Sequence, residues 1–316
     1  MSAHRLPLVI VNPASSAGRT AAYWSSIASR VQRALGGGVE VRMTRGPGDG
    51  THLVREALAQ GPRRVISVGG DGTHHEVING FFADNSVEPI EPDARFSFIS
   101  SGTGSDLARS FPAQANPDQL LTKIAADDPR PMDLIACTYT LADQRRAVEI
   151  CVNMASVGLG GWVTRTVDSR SKGTMPAKLL FFLTSVEGLF RTAPFPARFR
   201  LDGGQWRSLA VRNLVVANAR FQGGGMEIAP SSDPYDGSAD VVVSGPFRAL
   251  NLVWTSRLIY QGRGHEHPLI NMYKATSVDV EAADGAQPLF LELDGEGVGQ
   301  TPVTFEVLPG AVQAIV

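Results

Sequence analysis

The spacing of apolar and polar positions changes once along this 316-residue chain. In the first part, short apolar runs alternate with stretches in which apolar residues recur every three or four positions. Leu8 to Val11, Val39 to Met43, Arg64 to Val68 and Phe96 to Ile99 predict strands. Ala21 to Leu35 predicts an amphipathic helix carrying Tyr23, Trp24, Ile27, Val31 and Leu35. Further helices are expected over His52 to Leu58, from Thr73 onward, and over Asp106 to Ser110. This alternation argues for a largely parallel sheet covered by helices, with a ligand beyond the carboxyl ends of its strands.

After Pro131 the pattern becomes β-rich. DLIACTYTL, AVEICVNMASVG, FPARFRLDG, RNLVVANA, DVVVSG, SVDVEA and LFLELDG read as strands separated by turns. Two helices interrupt them, Pro176 to Phe190 and roughly Phe247 to Tyr260. The expected organisation is therefore an α/β domain over 1–131 and a β-rich domain over 132–302, with 303–316 returning to the first. The apolar helix MPAKLLFFLTSVEGLF could pack on the β domain, wall an acyl groove or touch a membrane surface.

Composition narrows the functional classes. A formal net charge of -2 and 19% charged residues do not suggest a nucleic-acid partner. The apolar N-terminal run is too short for a secretory signal, and no apolar run reaches the length of a membrane span. Cys137 and Cys151 lie in apolar strand-like runs without a CxxC spacing, as expected of buried thiols in a reducing compartment. His74, His75, His265 and His267 do not form a zinc-ligand spacing.

Three glycine- or serine-rich turns follow strands of the first domain. In GGDGTHHE, Gly69, Gly70 and Gly72 permit a tight turn with unusual φ and close approach of a ligand. Thr73 and Glu76 have the T-x-x-E spacing of a capping box, so free helix amides would face an anion. Asp71 could then meet a nucleotide hydroxyl or a metal-bound phosphate. Glu76 has two readings, a cap and a ligand contact. In SSGTGSDLARSF, Gly102 and Gly104 flank Thr103, and Arg109 lies one turn into the following helix. In NPASSAGRT, Asn12, Ser15, Ser16 and Gly18 offer small polar contacts. The Walker A and dinucleotide spacings are both missing.

In LFLELDGEG, Leu289, Leu291 and Leu293 face one side of a strand, while Phe290, Glu292 and Asp294 face the other. Asp294 before a glycine turn could orient a hydroxyl and accept its proton; the same Asp-Gly pair is also an ordinary hairpin turn. Glu296 could contact metal or nucleotide. Asp233, Asp236 and Asp240 offer hard oxygen ligands for Mg²⁺ or Ca²⁺, or are solvated turn residues.

VNPASSAG, GGDGTHHEVINGF, SGTGSDLARSF, CVNMASVGLGG, GGGMEIAP with DPYDGSAD, GRGHEH and LELDGE occur in the order seen in the diacylglycerol kinase catalytic-domain family, which the chain resembles over nearly its whole length. The family includes bacterial lipid kinases and sphingosine and ceramide kinases. The resemblance implies an α/β nucleotide-binding domain of the NAD kinase/diacylglycerol kinase type plus a β-sandwich-like C-terminal domain, with the active site in the cleft between them. It implies ATP and Mg²⁺ as cofactors. It places Asn12, Ser15, Thr44, Gly70, Asp71, Gly72, Thr73, Glu76, Gly102 and Thr103 at the nucleotide, Asp294 as general base with Glu296 beside it, and Asp236 and Asp240 at a magnesium ion. The implied activity is phosphoryl transfer to a lipid hydroxyl, diacylglycerol or a relative. The lipid would be presented at a membrane surface to a cytoplasmic, peripherally associating protein, with a homodimer left open. Ser16, His75 and Ser105 depart from frequent family residues. The alternatives are a soluble small-molecule kinase, such as one acting on NAD, and a noncatalytic nucleotide- or lipid-binding protein.

Overall fold

The computed structural model describes residues 5–61, 63–101, 105–170, 177–247 and 252–316. The chain divides into two compact units, Met1–Leu134 with Leu308–Val316, and Ile135–Val307.

The first unit runs β1 (Leu8–Val11), α1 (Arg19–Ala34), β2 (Glu40–Met43), α2 (Asp49–Leu58), β3 (Arg64–Gly69), α3 (Asp71–Asn79), β4 (Arg95–Ser100), α4 (Asp106–Arg109) and α5 (Pro117–Ala126). Its strands pair in parallel in the order β2, β1, β3, β4, and Gln313 and Ala314 of the returning chain add in parallel beside Arg95 and Phe96. β1 is buried at every position, as expected of a strand covered on both faces. β2 alternates half-buried and exposed residues because it is the edge. Trp24, Ile27 and Val31 of α1 follow helical spacing and pack on Val9, Val11, Ile66 and Val68.

The helix α5 was not among the sequence expectations, although its start is signalled locally. Asn116 accepts N–H bonds from Asp118 and Gln119, and Pro117 stands in the first turn.

The second unit runs β5 (Arg130–Thr140, entering from the first unit), β6 (Arg146–Cys151), β7 (Met154–Gly158), α6 (Leu159–Arg170), α7 (Ala177–Arg191), β8 (Phe195–Leu201), β9 (Arg207–Val211), β10 (Asn213–Ala217), β11 (Phe221–Gln222), β12 (Met226–Glu227), β13 (Ala239–Ser244), α8 (Leu252–Tyr260), β14 (Ile270–Ala275), β15 (Ser277–Ala282), β16 (Phe290–Leu293) and β17 (Glu296–Ala314, leaving for the first unit). The order β14, β13, β10, β7, β16, β17 is antiparallel throughout. β15, β8 and β9 extend from β17 on a second antiparallel path. Alternate residues from both paths, among them Val157, Val216, Val241, Phe199, Val280 and Phe305, meet in one core. Leu289, Leu291 and Leu293 join that core, so the opposite face of β16 carries Phe290 and Glu292 as the alternation predicts.

α6 was not expected from the sequence. LGGWVTRTVDSR has two glycines in its first turn and contains β-branched residues, so its intrinsic helix propensity is weak. Packing supplies the reason. A Cβ on Gly161 would lie 2.3 Å from the Phe290 carbonyl oxygen, and one on Gly160 would lie 2.1 Å from Ser156 Oγ. The helix start fits against β16 and β7 because those side chains are missing.

Candidate active site

The turns expected at a nucleotide all leave the carboxyl ends of strands in the first unit. Thr44 follows β2, Asn12 follows β1, Gly70 follows β3 and Ser101 follows β4. The chain steps from β1 to β2 on one side and to β3 on the other, so a topological switch point lies between β1 and β3. Asn12 bridges it. Its Nδ2 donates to Thr73 Oγ1 at 3.1 Å, while its Oδ1 accepts the N–H groups of Ala14 and Ser15. Ser15 Oγ donates to the Asn12 carbonyl at 2.9 Å and lies 2.6 Å from Thr20 Oγ1. Ser16 donates to the Ser101 carbonyl, tying the β1 and β4 turns together. Ser16 and Ala17 have φ of 55° and 58°, an uncommon conformation for residues with a Cβ. Thr44 is buried and its N–H donates to the Val11 carbonyl at 2.9 Å.

The glycines after β3 act differently from the sequence expectation. Gly69, Gly70 and Gly72 are not among the residues with positive φ. Gly69 is needed for space, because its Cβ would lie 2.4 Å from Thr73 Oγ1. Gly70 is extended, and a Cβ there would meet none of the described residues within 4 Å. Helix α3 begins at Asp71 and has no side-chain cap, so the Thr73–Glu76 capping box does not form. Thr73 turns to Asn12. Glu76 reaches the start of α2 and accepts the N–H of Gly48 at 2.8 Å and of Gly50 at 3.0 Å. A Cβ on Gly50 would stand 2.7 Å from Glu76 Oε2, so this cap requires the glycine. Glu76 is thus a cap, but of a neighbouring helix.

Asp71 also spends its carboxylate within the protein. It accepts the Ser105 hydroxyl and the N–H groups of Asp106 at 2.9 Å and Leu107 at 3.4 Å. The first amides of α4 therefore face a protein carboxylate. Burial, with the nearby Asp106 charge, pushes Asp71 up to about 6 despite these donors. Arg109 lies 3.7 Å from Asp106. Gly102, Thr103 and Gly104 lie outside the described residues. Among the described residues nothing stands close to a Cβ at Gly70, and the start of α3, without a side-chain cap, offers its backbone amides to an anionic group.

In the second unit, Asp294 occupies the turn between β16 and β17. It has φ 50° and Gly295 has φ 95°, so a left-handed turn aims the carboxylate inward. Asp294 is 7% exposed. Its Oδ1 accepts N–H from Asn153 at 2.8 Å and Met154 at 3.1 Å, and the Cys151 thiol at 3.0 Å. Its Oδ2 accepts the Val152 N–H at 2.9 Å. Three successive amides thus converge on this carboxylate. Burial pushes the Cys151 thiol well above its ordinary range, with the neighbouring Asp294 charge adding to the effect. Cys151 is a buried thiol as expected, and it also belongs to the site. Glu296, at the start of β17, pairs across the hairpin with Leu293.

Sequence reasoning did not single out Glu292 as a functional residue. It is 4% exposed, with Oε2 accepting Ser156 Oγ at 2.6 Å and Gln222 Nε2 at 2.7 Å. Its Oε1 accepts the Gly295 N–H at 2.6 Å. Burial pushes Glu292 up to about 7, and Asp294 contributes in the same direction. The available signal was its strand face, which it shares with Asp294. A nearby small hollow is lined by Arg165, Phe290 and Gln300, among others, and does not include Asp294. Hydrogen bonding and burial mark the site better than concavity does.

Asp236 and Asp240 converge on a lysine. Lys274 Nζ pairs with Asp236 and lies 3.8 Å from Asp240 Oδ2. Asp240 and Lys274 are directly opposed across β13 and β14. Asp236 Oδ1 is already used by the Ser238 N–H and hydroxyl, and Ser231 donates to Asp240 Oδ1. Asp240 Oδ2 is buried without a hydrogen-bond donor among the described residues, and its ion pair is with Lys274. The pair as arranged does not fit a resident Mg²⁺, which needs several oxygen ligands where the ammonium sits. Among the described residues, no group of three or more His, Cys, Asp or Glu side chains is placed to hold a metal.

Residues 7–137 match the diacylglycerol kinase catalytic domain, and residues 153–316 match the YegS C-terminal NAD kinase beta sandwich-like domain. A protein named probable lipid kinase YegS-like from Xanthomonas oryzae pv. oryzae is 29% identical over 258 residues, covering 82% of this chain and 80% of that one. A diacylglycerol kinase from Bacillus anthracis str. Sterne has a TM-score of 0.68 and 20% identity, covering all of this chain and 98% of that one. Yeast NADH kinase shares the fold at a TM-score of 0.50 and 9% identity, covering 99% of this chain and 83% of that one. With both family models in sequence order and the expected α/β and β-sandwich-like units in place, this chain belongs to the diacylglycerol kinase catalytic-domain family.

Proposed function

We propose that this protein is an ATP-dependent lipid kinase that transfers the γ-phosphoryl group to a lipid hydroxyl, with diacylglycerol or a related lipid as acceptor. The observation that carries this reading is the pair of family matches, which spans both the nucleotide-type turns and the Asp294 turn. The curated relatives named as lipid kinases support the acceptor class.

In this reading the Gly70 turn and the uncapped start of α3 receive phosphate, and Asn12, Ser15, Thr44 and Thr73 shape the nucleotide site. Gly72, Gly102 and Thr103 belong to the same proposal. Asp71 and Glu76 serve it from behind by fixing the starts of α4 and α2. Asp294 orients the lipid hydroxyl and takes its proton as transfer proceeds, with Glu296 beside it. Mg²⁺ accompanying ATP would neutralise charge on the transferred group. A second dication at Asp236 and Asp240 would have to displace Lys274, and the reading does not require one.

The test is incubation with γ-labelled ATP and Mg²⁺ in mixed micelles of diacylglycerol, monoacylglycerol, sphingosine and ceramide, with NAD in a parallel tube. Label in a lipid supports the proposal and identifies its acceptor. Label only in NAD sinks it in favour of a soluble-nucleotide kinase. ATP binding without transfer to any acceptor indicates a binding protein.

A further inference from the structure

We infer that Glu292 is a positioning residue for the Asp294 turn, and that its protonation state switches turnover on and off. This rests on the proposed kinase reading. Glu292 uses both carboxylate oxygens on elements surrounding the turn. Oε1 holds the Gly295 N–H, the amide directly after Asp294. Oε2 holds Ser156 on β7 and Gln222 on β11. Anchoring Gly295 restrains the left-handed Asp294–Gly295 pair that aims the Asp294 carboxylate inward.

The ionised form suits this set of contacts, because all three partners can donate to it. A protonated Glu292 has an O–H that must itself find an acceptor. The Ser156 hydroxyl can reverse and accept, but the Gly295 amide and the Gln222 NH₂ cannot. Protonation therefore rearranges the support of the turn, and it also removes a negative charge near Asp294. The burial that pushes Glu292 up to about 7 places this change near neutral pH.

Among the described residues, the surrounding charged and titratable groups are few. Asp294 acts on Glu292 from the same hairpin, and Glu296 begins the opposing strand. Cys151, beside Asp294, is held in its neutral thiol form by burial. Arg165 of α6 lies over the Phe290 ring, 4.5 Å from its centroid. Arg220, near β11, is paired with Glu227. Ser156 and Gln222, the direct side-chain partners, are neutral.

The experiment is a pH profile of kcat and KM for the full chain, the Glu292→Gln variant and the Ser156→Ala variant, using the lipid that accepts label. The unmodified protein should lose roughly tenfold in kcat between about pH 8 and about pH 6, with KM for ATP little changed. Glu292→Gln, which resembles the protonated form, should remain near the low-pH rate and show no midpoint near neutrality. Ser156→Ala removes a donor to the carboxylate, so its midpoint should move to higher pH. A second readout does not require turnover: isotope-edited infrared spectroscopy should show a buried carboxyl titrating near neutral pH, lost in Glu292→Gln. An unchanged profile in Glu292→Gln, an unmoved midpoint in Ser156→Ala, or a Glu292 carboxyl ionised throughout this range would each overturn the inference. If no lipid accepts label while the infrared titration appears, the kinase reading has failed and the switch has no reaction to act on. If label transfers and the titration is missing, only the switch has failed.

Discussion

Asp71 and Asp294 look alike in sequence. Each is an aspartate in a glycine turn after a strand, and each is drawn inward onto backbone amides. They differ in what those amides belong to. Asp71 caps the start of α4 with help from Ser105, so its carboxylate ties the β3 turn to the β4 turn. Asp294 receives the successive amides of Val152, Asn153 and Met154, just before and at the start of β7, while standing in a left-handed turn. Desolvation prevails at Asp71 and moves it up to about 6. An acid in a glycine turn can therefore be a tether between loops or a fixed acceptor at a strand end, and its hydrogen-bond partners distinguish the two.

The comparison is broken most forcefully at Asp294. Asp294→Asn should lower turnover by about a hundred- to ten-thousand-fold while ATP still binds, measured by label transfer and by nucleotide titration. Its new NH₂ would also face amide donors, so the second unit should lose about 1–3 kcal/mol, read from denaturant unfolding. Asp71→Asn should leave a measurable rate, and preserved turnover there alongside collapse at Asp294 would confirm the division of roles.

Backbone contact comes next. Gly161→Ala should cost about 1–3 kcal/mol, because its Cβ would press on the Phe290 carbonyl, which cannot move like the end of a side chain. The Cβ of Gly70→Ala would meet none of the described residues, so folding should be nearly unchanged while ATP binding weakens. Thermal unfolding and nucleotide affinity, measured on both variants, separate a packing glycine from a binding one.

pH sharpens the comparison further. The raised Asp71 carboxyl keeps its proton in the folded state above the pH at which the unfolded chain loses it. Its contribution is therefore fully present below about pH 4 and is lost as pH rises to about 6. Asp71→Asn should remove that slope from unfolding free energies measured across this window. The smallest expected effect lies at Lys274. Lys274→Ala should lower stability by about 1 kcal/mol and make the thermal midpoint respond to Mg²⁺, whereas the unmodified protein should show little response.

The parallel and antiparallel regions were legible because burial on two faces and burial on one face write different periods. Leu289, Leu291 and Leu293 correctly assigned the faces of β16. Glu76 was misread because T-x-x-E describes a cap within one helix, while the nearest unsatisfied amides lay at Gly48 and Gly50. α6 was missed because its glycines lower helix propensity and gain their use only against Phe290 and Ser156.

The sequence by itself determined the family, the two kinds of secondary structure, and the placing of Asp71 and Asp294 in glycine turns after strands. These follow from residue order, local spacing and the alternation of side chains along a strand. Only the tertiary structure decided that Asp71 caps α4, that Cys151 touches Asp294, that Lys274 faces Asp236 and Asp240, and that Glu292 holds Gly295. Except for the Gly295 contact within its own hairpin, each joins residues far apart in the chain. Even that contact gains its chemical character from burial, which local spacing does not encode.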